Sequence, residues 1–103
     1  TIEWQNNTAI TFNDPQLTAQ MLPTLEATAG AQNVDTMKAS TGGEDFSFFQ
    51  EVVPGFYFFL GGMTPGNKTP YPHHTPDFKI DDAGMLLGVK TMSQLSIDYL
   101  NLK

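Results

Sequence analysis

Residues 56–60, Phe-Tyr-Phe-Phe-Leu, form an unbroken apolar and aromatic run between Pro54-Gly55 and Gly61-Gly62. A short run of this kind, bounded by turn residues, is typical of a strand that other elements cover on both faces of a sheet. The run therefore predicts a central strand, and the segments on either side of it predict what would pack around that strand.

Toward the N-terminus, a helix is predicted over residues 15–29. Asp14 can cap free amides and Pro15 suits the first helical position, and apolar residues follow at helical spacing. Pro23 should kink this helix, because proline removes one backbone hydrogen bond. Gly30 allows the left-handed conformation that often ends a helix.

Toward the C-terminus, a last helix is predicted to begin at Asp81 or Asp82. Its apolar face is predicted from side chains at helical spacing: Met85, Val89, Met92, Leu95 and Tyr99. Gly84 and Gly88 lie one turn apart, and because they carry no side chain they would let this helix approach the sheet closely.

Three further segments complete the predicted order of elements. The alternation over residues 2–12 predicts one or two short strands with a turn at residues 6–7, and residues 33–38 predict another short strand. Residues 46–53 predict a short helix that packs by its aromatic side and ends at Pro54-Gly55. Strands and helices in this order predict an α/β fold with helices packed on a small mixed sheet.

Length and composition exclude several classes of function. The 103 residues amount to one domain or less. Their net charge of −6, with five basic residues, argues against a nucleic-acid partner. There is no cysteine, so the chain can form neither a disulfide nor a thiolate zinc site. No apolar run approaches the roughly 20 residues of a membrane span, so no membrane partner is expected. The compartment, cytoplasmic or periplasmic, stays open.

Two loops are candidates for a binding site, because open α/β sheets bind ligands beyond the carboxyl ends of their strands. If the strands are parallel neighbours, the loop of Gly42, Gly43, Glu44 and Asp45 would face the same crevice as residues 61–74. Its glycines would let backbone amides approach a ligand, and Glu44 or Asp45 would orient a group or begin a helix. The alternative is a turn in which the acids only cap the helix.

Both histidines of the chain, His73 and His74, lie in the proline-framed stretch 71–78. Adjacent side chains of an extended segment point to opposite sides, so at most one of them would face the crevice. A metal site needs three or four protein ligands, and this chain could supply one. The alternative is a loop histidine bonded to backbone or solvent.

Four motifs follow one another in an order that resembles one enzyme family. They are Gly42-Gly43-Glu44-Asp45-Phe46, Pro54-Gly55-Phe56 with Leu60-Gly61, His74-x-Pro76-x-Phe78, and Asp81-Asp82 before the last helix. Over residues 14–101 the set is similar to the C-terminal part of the metal-dependent amidohydrolase and carboxypeptidase family. Members of that family include hippurate hydrolase, N-acyl-amino-acid amidohydrolases, auxin-conjugate hydrolases and glutamate carboxypeptidase.

The resemblance implies an enzyme with a three-layer, zinc-peptidase-like catalytic domain that holds two divalent metal ions, zinc or manganese. A smaller lid domain would form the homodimer. Residues 1–13 would end the lid domain and residues 14–103 would be the C-terminal half of the catalytic domain. The resemblance makes His74 the last metal ligand and His73 a mere neighbour, while Gly42–Asp45 would be the substrate-binding loop.

The family's other metal ligands and its general base, a glutamate, have no counterpart in these residues. The resemblance therefore implies a C-terminal fragment of a hydrolase that cleaves the amide bond of N-acyl amino acids or small peptides. No catalytic residue would lie in this chain, and we expect the isolated chain to be inactive. The alternative is a self-contained, non-catalytic α/β interaction module whose histidine loop binds a partner or nothing. The acyl group, the amino acid and the metal are not determined by the sequence.

Overall fold

The computed structural model describes residues 1–3 and 8–102. Its helices are α1, Pro15–Ala29, a short 3₁₀ helix, Ala31–Asn33, then α2, Phe46–Gln50, and α3, Ala83–Leu100. Spatial contacts between Cα atoms divide the chain into two compact units, Thr1–Phe58 and Phe59–Lys103. Each unit is described by itself. Within the described ranges, no helix combines the length and the apolar character needed to cross a bilayer.

The predicted α/β fold was wrong, because no strand, and hence no mixed sheet, forms in the described part of the chain. Residues 56–60 are irregular, and Phe59 is 67% exposed where a central strand would be covered on both faces. The hydrogen bonds give the reason. The amide and carbonyl of Tyr57 both bond to the side chain of Asn13, so a neighbouring strand cannot pair with them.

The other predicted strands are also absent from the described residues. Residues 4–7, which include the predicted turn at 6–7, lie outside them, whereas residues 8–12 are irregular and Ile10 is 85% exposed. Residue 33 ends the 3₁₀ helix, and residues 34–38 are irregular. An alternating segment becomes a strand only where a second backbone pairs with it, and no such pairing forms within residues 1–3 and 8–102.

Helix α1 confirms the prediction for residues 15–29. The Asp14 carboxylate accepts a hydrogen bond from the Leu17 amide at 2.8 Å, so this capping residue satisfies one of the free amides of the first turn. Gly30 ends the helix at a φ of 86°, and its amide donates to the Glu26 carbonyl. The helix continues through Pro23 and buries Met21, Thr24 and Leu25 on its inner side.

Helix α2 confirms that a short helix begins at Phe46, but it ends at Gln50 and not at Pro54-Gly55, and its aromatic side is only partly covered. Phe46 is half-buried, with its ring centroid 5.5 Å from that of Tyr57. Phe48 and Phe49 stay exposed, and Ser47 is the residue that α2 buries completely. The small side chain of Ser47 therefore lies inward, whereas Phe48 and Phe49 face outward.

Helix α3 confirms the predicted last helix and shows which aspartate caps it. The Asp81 carboxylate accepts a hydrogen bond from the Ala83 amide at 3.0 Å, whereas the Asp82 side chain makes no capping bond. The Asp81 amide donates to the Gly62 carbonyl at 2.8 Å. This bond fixes the start of α3 to the segment that follows residues 56–60.

The buried face of α3 differs from the predicted one. Thr91 and Leu95 are buried, whereas Met85, Val89, Met92 and Tyr99 are each more than half exposed. The inward face contains Thr91 and Leu95, which lie on the same side of the helix as Gly84 and Gly88.

Gly84 and Gly88 do permit a close approach, although to an irregular segment and not to a sheet. A methyl group at Gly84 would lie 3.3 Å from the Gly61 carbonyl oxygen, and one at Gly88 would lie 2.9 Å from a Leu60 methyl. Residues 60–61 therefore pack directly on the glycine face of α3.

Candidate functional site

The loop of residues 42–45 is held in place by the carboxylate of Glu44. One oxygen, Oε2, accepts a hydrogen bond from the Tyr57 hydroxyl at 3.0 Å, and the other, Oε1, accepts one from the Phe46 amide at 3.3 Å. Asp45 is exposed and its side chain makes no capping bond to α2. Of the two acids, Glu44 is therefore the one that joins the loop to α2.

Tyr57 is in turn fixed by Asn13, which lies 44 positions earlier in the chain. The Asn13 amide group donates to the Tyr57 carbonyl at 2.7 Å, and its oxygen accepts from the Tyr57 amide at the same distance. The Asp14 amide donates to the Gly55 carbonyl at 3.0 Å. These bonds attach the residues before α1 to residues 55–57, and the Tyr57 hydroxyl then positions Glu44.

The two glycines of the loop differ in their surroundings. A methyl group at Gly43 would lie 3.2 Å from both the Oγ1 and the Cγ2 of Thr8, whereas one at Gly42 would meet no atom within 4 Å. Gly43 therefore serves a close approach between two segments of the first unit. Gly42 leaves open space beside the backbone, as a ligand-binding position would require.

The pKa of Tyr57 is raised above its usual 10.0. The main cause is the hydrogen bond to Glu44, which needs the phenol to keep its proton. Burial of the hydroxyl adds to the effect, and so does the negative charge of the carboxylate. Tyr57 is therefore held as a neutral hydrogen-bond donor, a structural role that keeps the Glu44 carboxylate in one place.

We expect Tyr57→Phe to lower the free energy of unfolding by about 1 kcal/mol at pH 7, because one half-buried hydrogen bond is lost. The folded-state pKa lies above 10.0, so this stabilisation is fully present below pH 10 and disappears as the pH rises through the raised pKa. Urea unfolding of wild type and variant at pH 7 and above pH 10 measures both effects. The matched control is Tyr99→Phe, at an exposed position of α3. Equal losses in the two variants, or a loss independent of pH, would contradict the assignment.

His74 has an unusual backbone conformation. Its φ of 62° is the one positive value at a non-glycine residue in the described part of the chain. Residues other than glycine are sterically strained in this left-handed backbone conformation, because their Cβ atom comes too close to the backbone. Two hydrogen bonds hold the turn: the Thr75 hydroxyl donates to the Pro72 carbonyl at 2.9 Å, and the Phe78 amide donates to the Thr75 carbonyl at 3.1 Å. The imidazole of His74 is exposed.

His73 packs against a neighbour within the same turn. Its ring centroid lies 4.8 Å from that of Phe78, whereas the rings of His73 and His74 are 6.4 Å apart. The planes of the His73 and Phe78 rings are inclined at 48°, so His73 contacts Phe78 in a tilted arrangement. Of the two histidines, His74 is thus the one that the turn leaves without a ring neighbour at contact distance.

A metal needs more ligands than this arrangement supplies. Over residues 1–3 and 8–102, no group of three histidines or carboxylates is close enough to hold a metal ion. Glu44 is already bonded to Tyr57 and Phe46. The residues present therefore do not make a complete metal site, although an imidazole such as that of His74 is chemically suited to be one ligand.

The predicted site residues fall in different units of the structure. Gly42, Gly43, Glu44 and Asp45 belong to the unit Thr1–Phe58, and His74 belongs to the unit Phe59–Lys103. The crevice expected between the two loops stays a prediction.

Sequence reasoning missed Asn13 and Tyr57, the residues that hold the first loop. Asn13 directly precedes the capping residue Asp14, and Tyr57 lies inside the run that predicts a strand. No spacing rule links positions 44 residues apart, so no local signal could have identified the pair.

The chain is similar in sequence to several known proteins. The chain is 33% identical over 87 residues to YhaA of Bacillus subtilis, provisionally named an amidohydrolase, a match that covers 84% of this chain and 22% of that protein. It is 36% identical over 84 residues to a Rhodococcus jostii protein provisionally named glutamate–cysteine ligase 2-3, covering 82% of this chain and 10% of that protein. It is 32% identical over 92 residues to thermostable carboxypeptidase 2 of Saccharolobus solfataricus, a match that covers 89% of this chain and 23% of that protein.

The chain thus spans less than a quarter of the length of these relatives. No solved structure matches it. The sequence profile of peptidase family M20/M25/M40 matches residues 1–98, almost the whole chain. This match agrees with the ordered motifs from Gly42 to Phe78, and the chain belongs to peptidase family M20/M25/M40.

Proposed function

We propose that this chain is the C-terminal part of a metal-dependent hydrolase that cleaves the amide bond of N-acyl amino acids or small peptides. The family match and the names of two relatives, an amidohydrolase and a carboxypeptidase, support hydrolysis of such bonds. The ligase name comes from a protein of which this chain matches a tenth, and that name is not carried over.

The observation that carries the metal-binding part of the proposal is the conformation of His74. A left-handed backbone at a bulky residue costs on the order of 1–3 kcal/mol, and such strain is concentrated at functional sites. His74 has a φ of 62° and an exposed imidazole, whereas the ring of His73 packs at a tilt against Phe78. We therefore assign His74 as the one metal ligand of this chain.

The loop of Gly42, Gly43, Glu44 and Asp45 is assigned to the substrate side of the site. Open space beside Gly42 leaves its backbone accessible to a ligand. Glu44 is half-buried and bonded twice, so it shapes the loop and is not a free acid. Asp45 is exposed and is the acid available to a substrate.

Two divalent metal ions, zinc or manganese, would supply the reactive water of the full-length hydrolase, because a bound metal lowers the pKa of its water. The remaining ligands and the general base lie, in this proposal, in the part of the hydrolase that these residues do not cover. Residues 1–13 would end a lid domain that forms the homodimer, and residues 14–103 would complete the catalytic domain. The 103 residues alone would then bind no metal tightly and catalyse nothing.

The test compares the 103-residue chain with the full-length protein that contains it. We expect the full-length protein to hydrolyse a panel of N-acyl amino acids, to lose activity on dialysis against a chelator, and to recover it with zinc or manganese. The isolated chain should show no turnover and should bind zinc more weakly than about 1 μM, because a single imidazole does not make a site. Activity assays and isothermal titration calorimetry measure these outcomes.

Metal-dependent turnover by the isolated chain would refute the proposal that the remaining metal ligands and the general base lie outside these residues. Chelator-resistant activity of the full-length protein would refute the metal-dependent hydrolase. If the reading frame begins next to Thr1, no longer protein exists, and the non-catalytic interaction module becomes the better description.

A further inference from the structure

Asn13 is held in place by the residues on either side of it. The Phe12 amide donates to the Oε1 of Gln50 at 3.0 Å, and the Asp14 amide donates to the Gly55 carbonyl at the same distance. All five residues belong to the first of the two units. The backbone of Asn13 is therefore fixed relative to the segment that follows α2.

The side-chain amide of Asn13 uses both of its ends on one residue. Its nitrogen donates to the Tyr57 carbonyl and its oxygen accepts from the Tyr57 amide, each at 2.7 Å. A carboxylate of the same size could accept but not donate, and an aliphatic side chain could do neither. Asparagine is therefore the side chain of this length that satisfies both backbone groups of Tyr57.

Tyr57 contacts the residues on both sides of Asp45. Its hydroxyl donates to the Glu44 carboxylate at 3.0 Å, and its ring centroid lies 5.5 Å from that of Phe46. The raised pKa of Tyr57 agrees with a phenol that keeps its proton for this bond. Asp45 is exposed between two residues that Tyr57 holds, so its orientation depends on where Tyr57 lies.

We propose that Asn13 is a positioning residue for the loop of residues 42–45, that it acts through Tyr57, and that it determines how tightly this loop binds substrate. The inference rests on the proposed function, which assigns the loop to the substrate side of the site and the general base to the part of the hydrolase outside these residues. The loop then contributes to binding in the ground state and the transition state alike. A loop released from Tyr57 therefore raises KM with little change in kcat.

Steady-state kinetics of the full-length protein with an N-acyl amino acid test this split. Asn13→Ala should raise KM at least about tenfold and leave kcat within about twofold of wild type, because misplaced binding groups weaken substrate binding without touching the reacting atoms. The matched control is Asn33→Ala. The Asn33 side chain also donates to a backbone carbonyl at 2.7 Å, but this carbonyl is that of Ala29 at the end of α1. The control should leave both constants unchanged.

A double variant tests whether the effect passes through the Tyr57 hydroxyl. Tyr57→Phe keeps the backbone groups that Asn13 binds and removes the bond to Glu44. It should raise KM in the same direction as Asn13→Ala. Because the two residues act in one chain of bonds, the rise in KM of the double variant should be smaller than the product of the two single rises.

Hydrogen exchange provides a measurement that does not depend on turnover. The Phe46 amide donates to the Glu44 carboxylate, and the Ser47 amide donates to the Glu44 carbonyl at 3.1 Å. In the full-length protein, these amides should exchange at least about fivefold faster in Asn13→Ala than in wild type, because local opening becomes easier. Asn33→Ala should leave their rates unchanged. Mass spectrometry of the peptide that covers the loop and α2 measures the exchange.

Asn13→Asp supplies the same measurements if Asn13→Ala does not fold. Its carboxylate can still accept from the Tyr57 amide but cannot donate to the Tyr57 carbonyl. KM and the rate of loop exchange should then each rise by at least about threefold.

Three results overturn the proposal: unchanged loop exchange in the folded Asn13 variant, a KM equal to that of wild type, or single rises in KM that multiply in the double variant. A fall in kcat larger than the rise in KM also overturns it, because the loop would then act on the reaction and not on binding. If the wild-type full-length protein hydrolyses no N-acyl amino acid, the hydrolase is refuted, whereas the exchange rates still decide whether Asn13 positions the loop.

Discussion

If His74 is the proposed metal ligand, replacing it by alanine in the full-length protein should lower kcat/KM for N-acyl amino acids by at least about 100-fold, because loss of a direct ligand should exceed the 10–100-fold typical of residues that only orient ligands. About one metal ion per subunit should be lost at the same time. Steady-state kinetics and elemental analysis of the dialysed protein measure the two effects. Both follow from the imidazole that the strained turn presents to solvent.

The control for this prediction is the neighbouring histidine. His73→Ala removes a ring that packs at a tilt against Phe78 and should leave metal content unchanged, with a modest loss of stability. The pair of variants separates ligation from general damage to the turn of residues 72–78. Unchanged kinetics and metal content in His74→Ala, or metal loss in His73→Ala instead, would move the ligand assignment away from His74.

Met21→Ala should have the largest effect on stability, lowering the free energy of unfolding of the 103-residue chain by about 2–4 kcal/mol. Met21 is 3% exposed in α1 and is one of few hydrophobic side chains that the described residues bury. Its removal leaves a cavity that a small core can fill only in part. A loss of this size is a large fraction of the 5–15 kcal/mol typical of small domains.

Urea unfolding followed by circular dichroism measures this loss, and the matched control is the next residue of the same helix. Leu22 is 37% exposed, so Leu22→Ala removes similar apolar atoms from a partly solvated position and should cost less than about 1 kcal/mol. Similar losses in both variants would show that α1 does not pack by the face that contains Met21.

The sequence predicted helices more reliably than strands, for a physical reason. Helix α1 begins and ends where Asp14 and Gly30 predicted, because capping bonds join residues three or four positions apart. The run at residues 56–60 had the composition of a buried strand, but a strand requires a second backbone beside it. Here Asn13 occupies the amide and carbonyl of Tyr57, and Phe59 remains exposed.

The candidate site was likewise predicted only in part from the sequence. The ordered motifs identified the family and singled out His74, since the spacing to Pro76 and Phe78 is a property of the sequence alone. The structure then placed Glu44 against Tyr57 and gave His74 its left-handed backbone. Neither fact follows from spacing, because each depends on how a turn closes or on a partner elsewhere in the chain.

By itself, the amino-acid sequence determined the family, the bounds of α1 and the positions of the candidate ligand and loop. These features rest on bonds and motifs between residues close in the chain. Only the tertiary structure decided that residues 56–60 stay irregular, that Asn13 holds Tyr57, and that α3 buries its glycine side. Contacts such as the Asn13–Tyr57 pair join positions 44 residues apart, and their formation depends on which surfaces the rest of the molecule leaves available.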